Sequence, residues 1–246
     1  MLPILFTVTA ALYASVGLGG GSTYIALMVL IEMSVQDVPI TALLCNLCVV
    51  SINLLRYKGT PFPYRVLIPL LCTSVPMAYL GGRTTVAPEV FQLILGSVLI
   101  MSGIAMGRRE VEQSTTTTMT TAHCLIIGSI LGGLAGLVGI GGGIFLIPIL
   151  HFYNIGSPAQ IGRIASGFIW FNSMAGLMGQ HSKLTVFGTS DDVWSLLVAV
   201  IFGALLGTQL HLRVLSAKHL KRVSMILIIG VGCRLLWQSC IHISKI

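Results

Sequence analysis

Hydrophobic residues run along this chain in long blocks separated by short polar gaps. Eight apolar stretches can be drawn, at about 3–32, 36–56, 64–82, 89–107, 122–153, 159–180, 193–211 and 219–240. Most come close to the roughly 20 residues a helix needs to cross the hydrocarbon core of a bilayer. The pattern therefore predicts an all-α integral membrane protein. The one soluble-looking gap is Arg108 to Thr121, which holds Arg108, Arg109, Glu110, Glu112 and the threonine run 115–118. It divides the chain into a first membrane repeat (1–107), a polar linker (108–121) and a second membrane repeat (122–246).

The first and fifth stretches differ from the rest. Each is about 30 residues, roughly 45 Å if helical throughout and longer than the core is thick. Each is cut near its middle by glycines, at Gly17-Leu18-Gly19-Gly20-Gly21 and at Gly139-Ile140-Gly141-Gly142-Gly143, and these clusters lie 122 positions apart. At the same offset Leu18 meets Ile140, Ile25 meets Ile147 and Leu27 meets Ile149. Glycine costs roughly 1 kcal/mol against alanine inside a helix, so a continuous helix through either cluster is disfavoured. The arms on either side, about 11–17 residues, are short for a full crossing. Each half thus reads as one glycine-broken re-entrant or discontinuous helix plus three transmembrane helices. A non-helical tip inside a membrane must be buried in protein or face a cavity.

Composition agrees: 55% of residues are hydrophobic and 9% charged, with a mean hydropathy of +0.95, against about 25% charged in soluble domains. The net charge of +7 consequently reports orientation rather than nucleic-acid binding. If the broken stretches dip and return while the other six cross, one side receives Arg56, Lys58, Arg65, Arg108, Arg109, Arg163, Arg213, Lys218, Lys221 and Arg222. The other receives only Arg83, Lys183, Arg234 and Lys245. Eight full crossings would divide the same cations about evenly. The positive-inside rule favours the re-entrant plan, with both termini outside and the two halves inverted relative to each other. Met1-Leu2-Pro3 lacks the basic region of a signal peptide and reads as mature sequence. Cys45, Cys48, Cys72, Cys124, Cys233 and Cys240 lie in or beside apolar stretches and read as small buried hydrophobes.

In this plan the glycine tips approach the midplane from opposite faces. Ser22 and Thr23 start a new half-helix after one, Ile144 and Phe145 after the other. Helix N-termini carry free N–H groups and about half a positive charge, which suits an anion. Glycine also lets a ligand approach the backbone. The structural alternative is that these glycines only permit close helix packing. Neither cluster has the spacing or the following Lys-Ser/Thr of a nucleotide loop.

These residues carry a resemblance. Gly17–Gly21 and the run from Gly139 to Pro148 are similar to the glycine motifs of the TauE/SafE sulfite-exporter family. So are Arg163-Ile164-Ala165-Ser166-Gly167, Asn172 to Leu177 and Gly179-Gln180-His181. The first half departs from the family at Thr41-Ala42-Leu43-Leu44 and at Ala26, the counterpart of Pro148. The resemblance implies movement of sulfite or a small organosulfur anion across the cytoplasmic membrane.

Polar residues within the stretches are the remaining candidates. Asn46 and Asn53 share a helix face on the second stretch, as Ser166 and Ser173 do on the sixth. With Asn172 they could line one cavity and donate to oxyanion oxygens, or serve as interhelical hydrogen-bond glue. Arg163 is an anion contact or a topology anchor; His151 and His181 are interfacial. The expected substrate site comprises Gly17, Gly19, Gly20, Gly21, Ser22, Thr23, Asn46, Gly139, Gly141, Gly142, Gly143, Arg163, Ser166, Asn172 and Ser173. Glu32, Asp37, Glu89, Glu110, Glu112, Asp191 and Asp192 all sit in loops or at segment edges, so a mid-membrane carboxylate relay is not expected. A facilitator or weakly coupled transporter fits that distribution.

A competing reading is a membrane thiol–disulfide carrier, from the C-x-x-C spacing of Cys45 and Cys48. Their counterparts at the repeat offset are Gly167 and Trp170, not cysteines. A scaffold without flux is a third reading. No H-E-x-x-H or G-x-S-x-G motif points to an enzyme. The sequence is read as an inner-membrane, multi-pass transporter of a small sulfur anion held between two glycine breaks. It implies no cofactor, metal or nucleic acid. Its partners are the bilayer and the substrate, and a homo-oligomer is left open.

Overall fold

The computed structural model describes residues 2–15, 17–34, 37–56, 64–107, 119–153, 155–181, 191–209, 225–226, 228–237 and 239. Among these, the regular elements are helices: α1 (Leu2–Ser15), α2 (Gly21–Leu30), α3 (Asp37–Arg56), α4 (Tyr64–Arg83), α5 (Pro88–Gly107), α6 (Thr121–Val138), α7 (Gly143–Phe152), α8 (Pro158–Gly179) and α9 (Asp191–Gln209). A C-terminal helix covers Ile228–Trp237. Most of the linker, with Lys58, Lys183, Arg213, Lys218, Lys221, Arg222, Lys245 and Cys240, lies outside the described residues.

Local chemistry sets the ends. Ser157 and Gln160 form a capping box ahead of Pro158 at the start of α8, pairing amide groups that the first turn leaves open. Thr120 caps α6 by accepting from the His123 amide at 3.4 Å. That helix ends at Gly139, whose φ of 87° is left-handed and therefore suits glycine. At the 122-residue offset, α2 and α7 each have 10 residues. Their first bonds are also equivalent, Thr23 N to Gly20 O at 3.0 Å and Phe145 N to Gly142 O at 3.2 Å. One expectation needs correcting. The first arm of the second broken stretch is not short: α6 has 18 residues and, with α3 and α4, is long and apolar enough to cross a membrane. Its interior glycines do not break it because a neighbour fills the space beside them.

That neighbour is α4. Gly128, Gly132 and Gly136 lie against the backbone of Leu70, Ser74 and Ala78. Both series step by one helical turn, so the two helices run in the same direction. Gly203 and Gly207 of α9 lie in the same way against Thr7 and Ala11 of α1. Apolar surface gives no driving force between helices in lipid, so such close backbone contact is what holds them. Each seam joins one half of the chain to the other: α4 packs beside α6, and α9 beside α1. α3 and α8 run antiparallel, with Trp170 Nε1 donating to Ser51 Oγ at 3.1 Å and Gly176 against Leu43. Buried apolar side chains gather in two main groups. One joins α1, α2, α3, α5, α9 and the C-terminal helix and takes in Val138, Ile140 and Ile144 around the second tip; the other joins α4, α6, α7 and α8. Leu55, Ile126, Val198 and Phe202 stay on the outside, where lipid would cover them.

Candidate functional site

The two glycine tips lie where these groups meet. α1 descends along α3 until Arg56 Nη1 reaches the Ser15 carbonyl at 3.4 Å and Asn53 Nδ2 reaches the Leu18 carbonyl at 3.2 Å. After the tip, α2 returns toward the start of α3. α6 comes from the other side, and Gly139 packs on the backbone of Pro39 near that start. The tips therefore come in from opposite ends of α3 and overlap. They pass side by side, with Gly21 against the carbonyl of Ile140 and Gly143 against the side chain of Leu18. Overlap has a physical reason, since the carbonyls exposed at a helix break inside a membrane need donors.

The long helix of each half supplies those donors to the tip of the other. Asn46 Nδ2 of α3 donates to the Gly139 carbonyl at 3.3 Å. Ser166 Oγ of α8 donates to the Gly17 carbonyl at 2.9 Å. Gly17 and Gly139 are equivalent at the repeat offset, and both have left-handed backbones, with φ of 80° and 87°. Gly20 and Gly142 form a second such pair, at 84° and 75°. Reciprocal clasps of this kind could not be read from spacing, because Asn46 and Ser166 differ in type and in offset.

A small cavity opens between the tips. Gly19, Gly20, Gly21 and Ser22 form one wall, with Gly143 opposite and Tyr13 at the side. Leu18, Ile140, Ile144 and Ile169 complete it. Among the described residues, no charged side chain lines it. The amides of Gly21 and Ser22, and of Gly143 and Ile144, precede the first intrahelical bonds of α2 and α7. Both helix N-termini, with their partial positive charge, are thus directed to one place. Tyr13 OH and Thr23 Oγ1 share a buried hydrogen bond at 2.7 Å.

The expected site residues divide into groups. Gly17, Gly19, Gly20, Gly21, Ser22, Thr23, Gly139, Gly141, Gly142 and Gly143 come together at the crossing. Asn46 joins them, lying against Gly19, Gly21 and Gly141. Ser173 approaches Gly141 from α8. Asn46 Oδ1 and Ser173 Oγ are buried with no hydrogen-bond partner. Asn172 is buried in the same way: its amide donates to Phe168 O of its own helix at 2.8 Å, and its Oδ1 has no partner. Arg163 is half-buried one turn before Ser166 and does not line the cavity. His181 is exposed at the end of α8, and the side chain of His151 is outside the described residues. Cys45 and Cys48 are free thiols on α3.

Sequence reasoning missed Tyr13, Leu18, Ile140, Ile144 and Ile169 as lining residues, and Asn53 as the donor to Leu18. A tyrosine four residues ahead of the glycines, with its hydroxyl deep in an apolar stretch, was the available signal. The isoleucines had none, since they match the lipid-facing residues in type.

Comparison with known proteins follows the same outline. A family model described as Sulfite exporter TauE/SafE matches residues 2–235. A probable membrane transporter protein of Sinorhizobium fredii is 32% identical over 242 residues, covering 96% of this chain and 97% of that one. A probable membrane transporter protein of Xylella fastidiosa is 26% identical over 241 residues, covering 90% and 89%. Another, from Methanocaldococcus jannaschii, is 26% identical over 252 residues, covering 94% and 93%. No solved structure matches the chain.

Proposed function

This chain belongs to the sulfite exporter TauE/SafE family, and on that premise we propose that it carries a small sulfur-containing anion across the inner membrane. Sulfite or a small organosulfonate is the substrate in this reading. It is a multi-pass membrane transporter, and no enzyme chemistry is assigned to it. The observation that carries the reading is the convergence of α2 and α7, whose N-termini open onto one cavity. Two half-helix N-termini at the centre of a membrane bundle form an anion seat. In the proposed plan the halves are inverted repeats. Opposite directions of α3 and α8 support it, as do equivalent tips clasped by the other half. Rocking of one packed group against the other would then expose the seat to each side in turn.

The test is flux in proteoliposomes containing the full chain, comparing sulfite, methanesulfonate, thiosulfate, sulfate and chloride. A folded variant carrying Gly141→Leu and Gly142→Leu runs alongside. Both positions have positive φ, at 77° and 75°, and leucine there deforms the second tip. Flux of a sulfur anion in preference to chloride, lost in the variant, is expected. Absence of flux for every sulfur anion would sink the reading. Unchanged flux in the variant would move the seat away from the tips.

A further inference from the structure

We infer that the seat between the tips selects by charge: it takes a singly charged sulfur anion, either a monosulfonate or an oxyanion that keeps one proton, and rejects the dianion. This rests on the proposed transport of a sulfur anion and narrows it. Three observations carry it.

The first is the balance of charge. Among the described residues the cavity wall is glycine backbone, Tyr13, Ser22 and aliphatic side chains, with no lysine, arginine or histidine. Its positive potential comes from two helix N-termini, each worth about half an elementary charge. Together they offset about one negative charge. The cost of taking an ion out of water rises with the square of its charge, so a dianion has about four times the penalty of a monoanion and a second charge left without a partner.

The second is an acceptor with nothing to accept from. Asn46 is fully buried, and its Oδ1 has no hydrogen-bond partner. Its orientation is fixed, because Nδ2 donates to Gly139 O at 3.3 Å and a flipped amide would set two oxygens against each other. Oδ1 lies against Gly19, which forms part of the cavity wall. A lone acceptor just behind the wall of an anion seat disfavours a second negative charge and, between two monoanions, favours the one that retains an O–H.

The third is where the nearby charges and titratable groups face. Arg56 reaches the Ser15 carbonyl, at the partly negative end of α1, so its charge is offset there rather than in the cavity. Arg163 is on α8 a turn before Ser166 and outside the cavity lining. Tyr13 lines the cavity, and Tyr24 abuts Gly20; both are phenols, which carry no positive charge in either protonation state. Cys45 and Cys48 flank Asn46 on α3 as free thiols. Glu32 pairs with Arg234 at 2.8 Å at the far end of α2. None of these supplies a second positive charge to the seat.

The experiment uses the full chain in proteoliposomes and three probes: methanesulfonate, which is a monoanion throughout; sulfate, a dianion near neutral pH; and sulfite, which changes from one to the other. Methanesulfonate flux should exceed sulfate flux by more than about 100-fold, the factor that an uncompensated charge implies. Sulfite flux should fall several-fold from pH 6 to pH 8 as the protonated form disappears, while methanesulfonate flux stays level. In an Asn46→Ala protein the ratio of sulfite to methanesulfonate flux at pH 6 should drop. Sulfate carried as fast as methanesulfonate, or sulfite flux that rises with pH, would overturn the charge selection and leave the transporter reading standing. No flux of methanesulfonate or sulfite at either pH would overturn both. Should the Asn46 variant not fold, the wild-type pH profile decides by itself.

Discussion

The two glycine tips have the same backbone plan and different chemistry. Both begin at a left-handed glycine, and both lead into a 10-residue half-helix. After the first tip come Ser22 and Thr23, with Tyr13 ahead of it. After the second come Ile144 and Phe145. The polar side chains at the cavity, Tyr13 and Ser22, therefore come from the first half, although the family motif is fuller in the second. The second tip offers backbone amides and an apolar wall. Motif density and polar contact part company here because the second tip's sequence answers to packing. Gly142 abuts the Phe168 ring and the Leu131 carbonyl, and Gly143 abuts Ile169.

Alanine at the start of each half-helix breaks or sharpens this comparison most strongly. Gly21 and Gly143 are equivalent, and neither has a positive φ, so strain in the backbone is not at issue. A β-carbon on Gly21 would stand 2.7 Å from the carbonyl oxygen of Ile140 and 2.7 Å from Asn46 Nδ2. One on Gly143 would meet Cδ1 and Cγ1 of Ile169 and Cδ2 of Leu18, side-chain atoms that can shift where the Ile140 carbonyl cannot. Gly21→Ala should lower flux by more than about tenfold and cost about 1–3 kcal/mol of stability through overpacking. Gly143→Ala should cost less than about 1 kcal/mol and leave most of the flux. Flux assays and thermal unfolding in detergent check both. Equal losses would mean that the two tips are packed alike.

What was legible in the sequence follows the strength of the physical signal. The edges of α3, α4 and α8, at 37–56, 64–83 and 158–179, fall within a residue of the apolar stretches, because polar residues end a segment that must sit in lipid. The two breaks were legible because four closely spaced glycines cannot hold a helix against a return to loop. The crossing of the tips was not, since it depends on how far each arm reaches, and neither was the partner of α6. Its glycines at 128, 132 and 136 recur at one-turn spacing, which marks a contact face but does not name α4 as the partner. Tyr13 and Ile169 carry no periodic signal and are found only by their position beside the tips.

The clasps provide a second contrast, smaller in stability and sharper in function. Ser166 donates at 2.9 Å to Gly17. Asn46 donates at 3.3 Å to Gly139 and keeps an unpartnered oxygen. Ser166→Ala should cost about 1–2 kcal/mol, because it leaves a buried carbonyl without its donor. Asn46→Ala loses a longer bond and also removes an oxygen that was buried at a cost, so its net destabilisation should be smaller. Its loss of flux should be the larger of the two, since Asn46 touches both tips. Unfolding midpoints and flux measured on the same two proteins separate these effects. If Ser166→Ala lowers flux more than Asn46→Ala, Asn46 is glue and the seat is organised from α8.

The smallest effect is expected where α2 ends. Glu32 has a positive φ of 59°, unusual outside glycine. It accepts from Arg234 Nη2 of the C-terminal helix at 2.8 Å. This ties the return arm of the first tip to the outer rim, far from the cavity. The two side chains are 77% and 38% exposed, so water and salt screen the pair, and its worth is at most about 0.5–1 kcal/mol. Arg234→Gln should lower the unfolding midpoint slightly at low ionic strength and hardly at all in high salt. Glu32→Gly should act differently, because it removes the same pair and also the cost of a left-handed non-glycine residue, about 1 kcal/mol. The two losses then nearly cancel, leaving Glu32→Gly at least as stable as Arg234→Gln. A Glu32→Gly protein that is clearly less stable would show that the rim pair holds the first tip in place, and that the difference between the tips extends to how their return arms are anchored.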